Sequence, residues 1–129
     1  MLELDAFFLN EDRHTNNIAF IRNDDTGEYR FCPYFDFGLS LLSDMNDYPL
    51  DADVYDCISK VNAKPFDADF DLQTDAAEEL YGVQLRINFS DSDIISAVDR
   101  CSEYYDEATC NRVKNILFAR KNKFKYLTA

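Results

Sequence analysis

Asp12, His14 and Asn17 stand in the spacing D-x-H-x-x-N inside the stretch LNEDRHTNNIAF, and the downstream YFDFG adds Asp36. Two carboxylates and an amide form an oxygen-rich set. Mg²⁺ suits such a set, because it takes one or two protein carboxylates and fills its other positions with water and phosphate oxygens. Phosphoryl transfer uses that arrangement, with a metal across the phosphates and a carboxylate that orients or deprotonates the incoming hydroxyl. In this chemistry Asp36 ligates the metal, Asn17 holds the same or a second ion, and Asp12 faces the acceptor. Taken alone, D-x-H-x-x-N is more often a capped turn. For His14 alone, a hydrogen bond to loop backbone is the plainer role.

The elements that must position these residues can be read around them. LELDAFFLN places Leu2, Leu4, Phe7, Phe8 and Leu9 so that several share a helical face; no capping residue precedes it, so the helix reads as already under way where the sequence starts. NIAFIR and EYRFCPYF are β-rich runs separated by NDDTG, a hairpin turn signal. A hairpin folds its ends together, which brings Asn17 and Asp36 to neighbouring ends of one ribbon with Asp12 just before it. From Ser43 to about Glu79 the chain is acid-rich with scattered aromatics and reads as loops with short helices. SDSDIISAVDRC opens with capping residues and carries Ile94, Ile95 and Val98 at helical spacing. DEATCNRVKNILFARKNKFKYL continues as a longer helix striped by Cys110, Val113, Ile116, Leu117 and Phe118, and the two are expected to pack as a pair.

DRHTNN followed by YFDFG resembles the catalytic loop and metal-binding loop of atypical kinases, closest to the HipA-like serine/threonine kinases and their cell-translocating relatives. The phosphoinositide lipid kinases share the D-R-H-x-x-N form. The resemblance covers residues 2 to 43 and implies Asp12 as catalytic aspartate, with His14 and Arg13 supporting the catalytic loop. It further implies Asn17 as metal-binding asparagine and Asp36 as the metal aspartate of the D-F-G type. The implied cofactor is Mg²⁺, with ATP if a nucleotide-binding lobe is supplied. Such a lobe carries a glycine-rich loop and a strand lysine ahead of the catalytic loop. Only eleven residues precede Asp12, and Gly27, Gly38 and Gly82 are the only glycines. The expectation is therefore a kinase C-lobe that needs a separate N-lobe, with an N-lobe polypeptide or a protein substrate as partner and little turnover alone. The alternative is a non-catalytic scaffold that works by association, including as a homo-oligomer.

Bulk properties agree with one soluble-type domain. At 129 residues and 47% hydrophobic content the chain can bury a core, and the expected class is α+β, mostly helical, with one hairpin between the two loops. A net charge of −12 argues against nucleic acid and anionic membranes as partners. No apolar run of membrane-spanning length occurs, and the start carries acids where a signal peptide needs bases, which points to the cytoplasm.

Other residues read more plainly. Cys32, Cys57, Cys101 and Cys110 lack metal-site spacing and are expected to be reduced and mostly buried, with no Cys101–Cys110 bridge. Phe35, Phe37, Leu39, Leu41 and Leu42 are expected to be core or loop anchors, Arg13 to pair with an acid, and Glu11 and Asn16 to face solvent. The six basic residues from Arg112 to Lys125 read as a solvated helix face complementing the acidic middle. Asp67, Asp69 and Asp71 lack the glycine and late glutamate of an EF-hand.

Overall fold

The computed structural model describes residues 1–127. The order of elements is helix α1 (Leu2–Phe8), strands β1 (Phe20–Arg22) and β2 (Tyr29–Phe31), then helices α2 (Val54–Ile58), α3 (Phe70–Tyr81), α4 (Asp91–Asp99) and α5 (Glu107–Lys123). Short 3₁₀ turns cover Thr15–Asn17 and Lys125–Leu127. The class is α+β, with helix dominant and a single antiparallel ribbon among the described residues. No helix among them is long and apolar enough to cross a membrane.

Aspartates start most of the helices, which gives the acid-rich middle a structural use. Asp53 accepts from the backbone N–H groups of Tyr55 and Asp56, and Asp69 from those of Asp71 and Leu72. Ser90 and Asp93 close a reciprocal capping box at α4, and Asp106 accepts from Thr109 N–H at 2.7 Å to open α5. Each bond satisfies a donor that the first helical turn leaves without a partner. The segment expected as loops with short helices, Ser43 to about Glu79, holds the short α2 and then α3, which is longer than expected at 12 residues and ends at Gly82 with φ 71°. Its exposed surface mixes acids with Leu72, Leu80 and Tyr81, which hid it from a pattern based on apolar spacing.

Helix α1 is the centre of the molecule rather than an amphipathic surface helix. Glu3, Asp5, Ala6 and Phe7 are all buried along it. Glu3 accepts from the backbone N–H groups of Gln84 and Leu85, and Arg120 on α5 donates to Ala6 O at 2.7 Å. Ala6, Phe7 and Leu9 join Leu42, Phe70, Ile116 and Phe124 in one core. The α4–α5 pair forms as its apolar spacing requires, with Ile94, Val98, Cys110 and Ile116 buried.

The basic stretch divides in two. Lys114, Lys121 and Lys123 pair with Asp99, Asp91 and Asp71, so this part does complement the acidic half. Arg112 and Arg120 instead turn inward and are buried, contrary to a wholly solvated face. Among the expected anchors, Leu42 is buried and Leu41 packs against the core, but Phe35 and Leu39 are exposed. They follow the loop away from the core instead of folding under it. All four cysteines are free thiols; Cys57 and Cys110 are buried while Cys101 is exposed.

Candidate active site

The site begins with Asp5 on α1. Arg13 lies fully buried beside it and grips its carboxylate through Nε at 2.9 Å and Nη2 at 2.8 Å. Asn10 Nδ2 donates to the same carboxylate at 2.8 Å, and Asn10 Oδ1 accepts from Asp12 N–H. These bonds satisfy a buried ion pair that would otherwise carry a large desolvation penalty. Arg13 therefore pairs with an acid as its position in the polar cluster suggested.

The same guanidinium reaches forward. Its Nη1 donates to Asn17 O at 3.0 Å and to Phe35 O at 2.9 Å, and its Cζ lies over the Phe37 ring, 5.0 Å from the centroid. One side chain thus holds DRHTNN and YFDFG together. Backbone bonds reinforce the junction: Glu11 N–H donates to Leu39 O and Leu41 N–H to Phe8 O. Phe37 also meets Phe8 edge-on, with centroids 6.1 Å apart.

The ribbon supplies the geometry between them. Phe20 pairs with Phe31, Ile21 with Arg30 and Arg22 with Tyr29, and Cys32 N–H donates to Ala19 O to extend the ladder toward both loops. Asn23 closes the turn, its side chain accepting from the N–H groups of Asp25 and Thr26, while Gly27 adopts φ 73°. A side chain at Gly27 would be strained in that left-handed conformation.

Asn17 is buried, and its Nδ2 donates to Asp12 O at 3.1 Å. This bond fixes which end of the amide is committed as donor; among the described residues no donor engages Oδ1. Asp36 is exposed and sits at φ 58°, a left-handed backbone that costs an aspartate roughly 1–2 kcal/mol. No described donor pairs with its carboxylate. An amide oxygen and a carboxylate left uncommitted, both next to carbonyls held by Arg13, are donors of the hard-oxygen type that Mg²⁺ prefers. Among the described residues no three acid, histidine or cysteine side chains cluster as a metal cage.

Asp12 is partly exposed, with a lysine and a histidine beside it. Lys64 Nζ lies 3.0 Å from its Oδ1, and His14 Nε2 lies 3.7 Å from its Oδ2. The His14 ring makes no hydrogen bond among the described residues; it stands over the carboxylate as a second cation when protonated. Glu11, expected to face solvent, is half-buried and accepts from the Tyr48 hydroxyl at 2.7 Å. Burial, followed by that bond to Glu11, raises the pKa of the Tyr48 phenol well above its usual range. Asn16 is exposed as expected.

Lys64 is the site residue that motif reading missed. It arrives from the acid-rich segment and is placed by Gln73 on α3, which is buried. Gln73 Nε2 donates to Lys64 O at 3.0 Å, and Gln73 Oε1 accepts from Phe66 N–H at 3.0 Å. Lys60 and Lys64 are the two bases of the acid-rich segment, and that was the only hint in the sequence. Comparison with family models, with curated proteins and with solved structures finds no match for this chain.

Proposed function

We propose that this chain is the metal-holding, acceptor-orienting part of a phosphotransferase of the HipA-like serine/threonine kinase type. The observation that supports this most is Arg13, which binds the carbonyls of both Asn17 and Phe35 and stacks on Phe37. The two motifs that carry the resemblance are joined by a side chain from within one of them. Asn17 Oδ1 and the Asp36 carboxylate are the groups that would hold Mg²⁺, and the metal would supply charge neutralisation at the phosphate oxygens.

In this reading Asp12 orients the acceptor hydroxyl and takes its proton as the new O–P bond forms and the bridging P–O bond breaks. Lys64 holds Oδ1 of Asp12, and Oδ2, with His14 Nε2 3.7 Å away, meets the acceptor. Catalysis of this kind is mostly positioning and charge stabilisation, so it also needs a phosphate grip from outside these 129 residues. The grip would come from an N-lobe-like polypeptide together with ATP.

A scaffold reading has one observation in its favour. The ribbon and its exit expose Phe20, Tyr29, Phe31 and Tyr34, with Phe20 and Phe31 stacked edge-on at 5.0 Å and Phe31 and Tyr34 at 5.6 Å. An aromatic face of this size favours association, with an N-lobe or with a second copy.

A thermal melt of the purified chain separates the two. With Mg²⁺ plus ATP the phosphotransferase reading expects a rise in Tm of a few degrees that Asp36→Ala removes, because a ligand that binds the native state stabilises it. An identical melt with and without Mg²⁺ plus ATP favours the scaffold.

A further inference from the structure

A cleft of about 420 Å³ lies between α4, α5 and the Ser40–Met45 loop, on residues that the phosphotransfer reading does not use. Its wall is mainly apolar, formed by Leu41, Val98, Val113 and Leu117 among others. No acid lines it, and Arg112 is the one formal charge in the lining.

Arg112 is 5% exposed and donates through Nη1 to Pro49 O. Its Nε and Nη2 are buried without a hydrogen-bond partner, as is the hydroxyl of Ser40, itself 7% exposed. Nε and Nη2 form one edge of the guanidinium, the edge with which Arg13 grips Asp5. Arg13 shows that edge satisfied by a carboxylate; Arg112 presents it with none. Buried donors of this kind are costly to leave unpaired, and a planar fork matches a carboxylate in two parallel bonds.

We propose that this cleft binds a monocarboxylate with an unbranched apolar tail, a free fatty acid. Its carboxylate sits on the Nε/Nη2 edge of Arg112 with the Ser40 hydroxyl as a further donor, and the tail lies along Leu41, Val98, Val113 and Leu117. The volume falls within the range of small-molecule pockets. Two carboxylate oxygens match the Nε/Nη2 edge of Arg112 in parallel bonds, the pairing that a planar guanidinium fork favours. A peptide carboxyl terminus would bring backbone amides that the same apolar wall leaves unsatisfied.

The test is calorimetric titration of the intact chain with decanoate below its micelle concentration, beside decanol and acetate. The expected result is a single site for decanoate, weakened about tenfold or more by Arg112→Met, with decanol weaker by a similar factor and acetate silent. Ala97→Trp, at an exposed position on the cleft wall, leaves Arg112 in place and is expected to abolish binding with the fold intact. This second variant decides the matter if Arg112→Met does not fold. Absence of decanoate binding, equal affinity for decanol, or binding unaffected by Ala97→Trp would overturn the proposal. Binding of a carboxyl-terminal peptide in preference to decanoate would overturn the fatty-acid assignment as well.

Discussion

Arg13 determines more of the candidate site than any residue that would touch a substrate. It is fully buried, joins α1 to both polar loops, and has Asp5 as its counter-ion. Replacing it with methionine preserves the volume but leaves Asp5 buried and uncompensated, at a cost of roughly 3–5 kcal/mol. Urea unfolding of Arg13→Met should show that loss, and a midpoint within error of the parent would refute this role. Exposed Asn16→Ala should leave the midpoint unchanged. The partner of Arg13 was legible only as "some acid", because nothing in the local sequence singles out Asp5. What makes Asp5 special is the burial of α1 on nearly all sides, a tertiary fact that local spacing does not carry. Lys64 escaped for a related reason: it meets Asp12 across 52 residues of chain, from a loop that Gln73 on α3 holds in place.

At the scale of elements, the helix starts follow from local chemistry, and that is why they could be read in advance. Ser90 with Asp93, and Asp106, lie where capping rules put them. Hydrogen bonds from Ser90 lower the pKa of Asp93, and those from Thr109 lower that of Asp106. A carboxyl with a depressed folded pKa contributes stability above its unfolded pKa and loses it as pH falls through the folded one. Helical circular dichroism should therefore decline below about pH 4, and Asp106→Asn should flatten part of that decline. An acid titration identical in parent and variant would show that the cap contributes nothing. The hairpin was equally legible, since NDDTG encodes its own turn. Helix α3 was not, because Asp71, Leu72, Asp75 and Glu79 put polar and apolar residues alike on its exposed surface. Its signal lay in Asp69 as cap and Gly82 as terminator rather than in an apolar stripe.

On the scale of the whole molecule, a single core built around α1 carries an exposed aromatic ribbon on one side and the Asp12, Asn17 and Asp36 loops at the ribbon's base. The ribbon is where the fold is least self-sufficient, since all six strand residues are exposed. Sedimentation should show concentration-dependent association that Phe20→Ser with Phe31→Ser reduces, without altering the urea midpoint. A strictly monomeric parent at high concentration would remove the ribbon as an association surface. Metal binding at the loops is tested residue by residue with Mn²⁺ as a paramagnetic probe in an amide NMR spectrum. Selective broadening is expected at residues 12–18 and 35–38 at low Mn²⁺, lost in Asp36→Ala. Broadening confined to the acidic segments around Asp44–Asp56 and Asp67–Asp75, with the loop signals sharp, would contradict it.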